Sequence, residues 1–224
     1  MLKKISFPRY IKIVLFIILN SLLITTFAQF NLSSAKKAEI CKQAPNLKPA
    51  VLNLALHEFD RARAEKMINK PIITIVDYSI PSNKDRLWVI NLDNGKVLET
   101  TLVAHGKGSG TPLMATRFSD QPNSKASSLG TYITGNTYYG KHGLSLRLNG
   151  ITKNFNDKVY GRTVVLHPAA YVSESYAKSH GYIGRSWGCL AVSPSDSEKI
   201  ISLVKDRTMM FAYYPDKKLL NSLA

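Results

Sequence analysis

Two residues in this 224-residue chain have the types and settings of a thiol nucleophile and its general base. Cys189 sits in "GRSWGCLAVSP", directly after Gly188 at the start of a tight turn, with Arg185 close by. A glycine ahead of a nucleophile lets the backbone approach a substrate, and the neighbouring N–H groups of Gly188 and Cys189 can point at an oxyanion. Nearby positive charge favours thiolate. A thiol also needs a base, and His167 ends the run "RTVVLH" ahead of Pro168, a rigid strand-end position from which to face a cleft. Of the other histidines, His105 opens "HGKGSG", His57 reads as a helix-surface residue, and His142 and His180 each precede glycine and read as turn residues. The residues alone leave three fates for Cys189: nucleophile, small buried side chain, or half of a disulfide with Cys41.

The elements that must position these groups are mostly β. After Pro71 come "IITIVDYSI" and "RLWVINL", an Asp93–Gly95 turn, and "KVLETTLVA", a strong hairpin signal. Residues 105–130 are rich in Gly, Ser and Pro and read as a long loop of the kind that carries function. Short β-like runs follow at "GTYIT", "GLSLRL" and "RTVVLH". "AAYVSESYAKSHG" reads as a short helix closed by Gly181, Ser193 and Pro194 begin another helix, and "TMMFAYY" is a last strand. Upstream, "AVLNLALHEFDRARAEKM" has an apolar stripe at helical spacing. Residues 29–49 are polar with no strong period and read as a leader, so residues 29–69 form a leader and amphipathic helix ahead of a domain over 70–224.

The first 28 residues differ in kind. Lys3, Lys4, Arg9 and Lys12 precede an apolar run, and Thr26 and Ala28 supply small residues, the pattern of a secretory signal peptide cut after Ala28. An uncleaved anchor near the membrane is the competing reading; the run is interrupted by Asn20 and Ser21 and is shorter than the roughly 20 residues a spanning helix needs. Without that segment, 26 Lys and Arg stand against 15 Asp and Glu, a formal net charge of +11. A basic exported chain is drawn to anionic envelope polymers, and it carries no nucleic-acid motif.

The block "VVLHPAAYVSESYAKSHGYIGRSWGCLAV" resembles the signature of the YkuD-type L,D-transpeptidase catalytic domain, a strand-end His followed after about twenty residues by Ser-x-Gly-Cys. "LWVINLDNGKVLETTLVAHGKGSG" and "SSLGTYITGNTYYGKHGLSLRLNG" resemble its murein L,D-transpeptidase branch, so the likeness covers roughly residues 70–215. The resemblance implies a mainly β domain with a few helices (α+β), an L,D-transpeptidase-like β-sandwich. It implies that Cys189 is the nucleophile and His167 its base, oriented by the carbonyl of Pro168. Gly188 and Ser186 complete the motif, and His105, Ser128, Tyr132 and Tyr139 are candidates for lining a donor groove. Two residues depart from the commoner pattern: Trp187 where many members have His, and Ala191 where many have Arg or Asn. The substrate binding that such a polar side chain would provide must come from elsewhere, with Arg185 the candidate for a substrate carboxylate.

The implied chemistry is a thioester formed on a peptidoglycan tetrapeptide stem and resolved by an acceptor amine, with no metal or organic cofactor. Water as acceptor would make the protein an L,D-carboxypeptidase, and loss of activity would leave a non-catalytic peptidoglycan-binding homologue. A papain-like protease fits less well, because its base lies downstream of the cysteine.

Overall fold

The structure, a computed structural model, describes residues 32–223. The signal peptide expected over residues 1–28 lies outside the described residues. Among the described residues eight strands form one hydrogen-bonded sheet: β1 (Ile72–Asp77), β2 (Leu87–Asn91), β3 (Lys96–Thr101), β4 (Gly130–Gly140), β5 (Gly143–Gly150), β6 (Val165–Pro168), β7 (Leu190–Val192) and β8 (Met209–Tyr213). Their order is β3-β2-β1-β8-β4-β5-β6-β7. Ala104, just past β3, bridges Ala191 on β7, so the first and last strands of that order meet and the sheet curls on itself. The mainly β, α+β class expected from sequence is what the structure shows, with the layers of the sandwich belonging to one continuous sheet.

β1 is buried along its whole length, which explains its unbroken apolar run: it pairs antiparallel with β2 and parallel with β8 while helices cover it. The amphipathic helix spans Pro49–Ala64 and lays Val51, Leu52, Ala55, Leu56, Phe59 and Ala62 against β1 and β8. A second helix, Pro194–Val204, packs Ile200, Ile201 and Val204 on the same sheet, its start fixed by Ser193, whose Oγ accepts from the Asp196 N–H. Glu174–His180 is the short helix closed by Gly181 in the left-handed region at φ 79°.

Two helices were not legible in the sequence. Ser34–Gln43 is helical where a leader is expected, with Ile40 and the following Ala44 and Leu47 buried. Its docking is non-local: Gln43 accepts from the Val97 N–H at 3.0 Å and donates to the Gly95 carbonyl at 3.2 Å, satisfying the outer edge of β3. Lys217–Leu223 closes the chain, burying Leu219 and Leu223. Strand β4 also runs to Gly140 instead of ending at Thr134, because a register shift between Thr134 and Thr137 lets it keep pairing with β5.

Candidate active site

His167 and Cys189 are brought together by adjacent strands. β6 and β7 pair in parallel with His167 opposite Ala191 and Leu166 opposite Leu190, and Cys189 immediately precedes β7. Both side chains open into one cavity of about 890 Å³. His167 Nδ1 lies 2.9 Å from the Pro168 carbonyl oxygen. A carbonyl only accepts, so Nδ1 carries the hydrogen and Nε2 keeps its lone pair. Above this ring stacks His142, with centroids 4.4 Å apart, carried on the turn between β4 and β5.

The loop before Cys189 is held by Ser186, whose backbone bonds to His105 and Lys107. Its Oγ donates to the Cys189 carbonyl at 2.7 Å and accepts from the Gly188 N–H at 3.0 Å. Gly188 has φ 118°, and a Cβ there would sit 2.7 Å from the Ala126 carbonyl oxygen, so only glycine fits. This corrects one expectation: the Gly188 N–H is committed to Ser186 and is not a spare oxyanion donor. Among the described residues the Trp187 and Cys189 N–H groups donate to no backbone carbonyl outside the ladders and are the donors left in this turn.

Burial dominates the electrostatics. It pushes the Cys189 thiol above its ordinary range, against smaller opposing pulls from a Val165 backbone hydrogen bond, Arg162 and Lys141. The thiol is also 3.8 Å from the Thr163 carbonyl oxygen, which can accept its hydrogen. Burial pulls His167 down; the Pro168 bond opposes this, while His142 and Lys141 add to it. Both shifts favour the uncharged forms, a thiol and an imidazole, against the thiolate that nearby charge favours.

Arg185 reaches the cavity wall, but its Nη1 donates to the Gly110 carbonyl at 2.6 Å. Of the two cations that act on the thiol, Arg162 and Lys141, Arg162 is the one held in a hydrogen-bonded network. It pairs with Asp120 at 3.2 Å and donates to Ser128 Oγ at 2.6 Å and the Ala126 carbonyl at 2.8 Å, tying the 119–128 loop to the cavity floor. Nothing in its local sequence marks it; the signal is its fold partner. Trp187 also lines the cavity, 68% exposed, with Lys125 Nζ 4.8 Å from its ring centroid.

Four candidates fall outside the cavity wall. His105 is fully buried, accepting from Arg86 at Nδ1 and donating from Nε2 to the Thr111 carbonyl, and burial with the Arg86 charge lowers it to about 4. Ser128 and Tyr132 are buried behind the wall, the Tyr132 hydroxyl donating to the Ser128 carbonyl at 2.8 Å. Tyr139 points into solvent; its neighbour Tyr138 lines the cavity. The long loop reaches the site through Lys107 and Lys125 instead. His142, assigned to a turn from sequence, lies in the wall because that turn folds over β6.

Both cysteines are free, which rules out the pairing of Cys41 with Cys189 in this structure. Among the described residues no group of three or more His, Cys, Asp or Glu side chains could hold a metal ion, and no helix is long and apolar enough to cross a membrane.

The curled sheet thus carries one cavity onto which a thiol and an imidazole both open. The sequence profile of the L,D-transpeptidase catalytic domain matches residues 43–213, and the chain belongs to that family. Comparison with curated proteins returns no match. Similar solved structures include an L,D-transpeptidase from Mycobacterium smegmatis, 15% identical with a TM-score of 0.40, covering 65% of this chain and 60% of that one. One from Stackebrandtia nassauensis is 18% identical with a TM-score of 0.39, covering 82% and 78%. One from Mycobacterium tuberculosis is 11% identical with a TM-score of 0.41, covering 65% and 59%. The chain spans about 60% of the length of the first solved structures it matches.

Proposed function

We propose that the protein is a cysteine-dependent peptidoglycan L,D-transpeptidase, exported by residues 1–28 to the cell envelope. What supports the reading is the pairing of Cys189 with His167 in one cavity, the imidazole held by the Pro168 carbonyl so that Nε2 can take a proton. In the first step Cys189 Sγ attacks the carbonyl of the third residue of a tetrapeptide stem while His167 Nε2 accepts the thiol proton. The Trp187 and Cys189 N–H groups face the developing oxyanion. Collapse breaks the amide bond, the imidazolium returns its proton to the departing D-alanine amine, and a thioester remains. An acceptor amine attacks the thioester, its proton passes to Nε2, and expulsion of the sulfur forms the cross-link and restores the thiol. Because both shifts favour the uncharged pair, proton transfer accompanies attack instead of preceding it.

The test is to incubate purified protein with defined tetrapeptide muropeptides and identify products by mass. Cross-linked dimers that vanish in Cys189→Ala are expected. Tripeptides alone would establish the carboxypeptidase reading, and products unchanged in Cys189→Ala would refute the cysteine mechanism.

A further inference from the structure

The cavity wall has an uneven charge that the proposed reaction does not use. It carries Lys107, Lys125, Lys141, Arg162 and Arg185 and no carboxylate. Arg162 alone is neutralised, by Asp120. Among the described residues the other four make no ion pair. They come from separate parts of the cavity wall. Arg185 Nη1 reaches the Lys107 carbonyl, and Lys125 lies over Trp187, so these three gather on the loop side. Lys141 stands on the β4–β5 turn next to His142, which stacks on His167.

Cations gathered without counter-charges repel one another, and a cleft lined by one sign concentrates ligands of the opposite sign. A stem peptide offers a carboxylate at its end and others along its length, and these last exist in free or amidated form. We infer that the unpaired cations select stems whose side carboxylates are free, the Lys107–Lys125–Arg185 group and Lys141 receiving carboxylates on opposite sides of the scissile bond. The inference rests on the proposed function and names the substrate that the same site prefers. It also assigns Trp187 a place, since a ring beneath Lys125 holds the ammonium at the cavity wall without neutralising it.

The chain has two tryptophans, of which Trp88 is fully buried and Trp187 is exposed in the cavity, so emission changes on binding report on the site. Cys189→Ala protein, which cannot turn over, is titrated with a tetrapeptide stem bearing free side carboxylates and with the same peptide amidated, at low and high salt. Cys189→Ser serves as a second background should the alanine variant fold poorly. The free form is expected to bind about fivefold tighter per neutralised carboxylate at low salt. That ratio should shrink at high salt, as screening requires, and again in a background that also carries Lys107→Gln and Lys125→Gln. Equal affinity for the two peptides, or no binding of either, overturns the inference. Turnover by unmutated protein is read separately: products with equal affinities sink only the inference, while a clear preference without products sinks only the acyl-transfer reading.

Discussion

Replacing Ser186 with alanine removes a hydroxyl that is 4% exposed and serves two partners, the Cys189 carbonyl at 2.7 Å and the Gly188 N–H at 3.0 Å. The alanine fits the space, so the cost is electrostatic. Each buried partner left without a bond costs about 1–3 kcal/mol. Two of them cost about 2–6 kcal/mol, which for a domain of this size lowers Tm by roughly 4–24 °C. The larger effect falls on catalysis. In the proposed mechanism Ser186 acts as a positioning residue, and releasing Gly188 and Cys189 from it lets the sulfur drift relative to His167 Nε2, a displacement that near 1 Å costs about 10²-fold in rate. We expect kcat on a tetrapeptide stem to fall by about that factor with KM little changed, and Ser186→Thr, which keeps the hydroxyl, to recover most of it. Thermal denaturation and steady-state turnover of both variants decide the matter. An alanine variant with wild-type Tm and kcat would refute the claim that this hydroxyl shapes the nucleophile loop, and equal losses in alanine and threonine would show that packing, not hydrogen bonding, is at stake.

Two further outcomes follow from the buried titratable groups. Because burial holds the Cys189 thiol above its ordinary range, its alkylation rate should keep rising with pH beyond the point where an ordinary thiol levels off; a plateau reached below neutral pH would refute the neutral resting pair. His105 is lowered to about 4, so below its ordinary value near 6.5 the unfolded chain takes a proton that the folded chain refuses. Its contribution is thus fully present above about pH 7 and lost as pH falls from about 6.5 to 4, by an amount on the order of 3 kcal/mol. Urea denaturation at several pH values should show this acid slope in the native protein and a shallower one in His105→Gln, and identical slopes would contradict it.

That Cys189 and His167 belong to one candidate site was legible because each sits in a short local pattern: a histidine where a strand meets proline, and a cysteine behind a glycine that tolerates no side chain. The hairpin, the caps at Ser193 and Gly181 and the buried strand β1 were legible for the same reason, each being specified by neighbours in sequence. What escaped depends on distant partners. Ser34–Gln43 buries a single helix residue and owes its place to an edge strand some fifty positions away. Arg162 acquires meaning only from Asp120, Ser124, Ala126 and Ser128 across the fold. His105 failed in the opposite direction: a histidine opening a glycine-rich loop suggests a ligand contact, yet the loop folds inward and seals it against Arg86. The thiolate expectation failed because charge proximity is visible in sequence while depth of burial is not.

Ala191 has a consequence of another kind. Its backbone is bridged on one side to His167 and on the other to Ala104, and its side chain lies fully buried among Leu102, Ala104, Ala169, Val172 and Ile183. A larger polar residue there would have to open the seam that closes the sheet. The strand that follows Cys189 is thus locked against change, whereas Lys107, Lys125 and Lys141, exposed at the cavity wall, can be exchanged without disturbing the fold. Substrate preference in this lineage is free to drift at the rim while the chemistry beneath stays fixed, so close relatives that differ in the stems they accept should differ at the mouth of the cavity and share its floor.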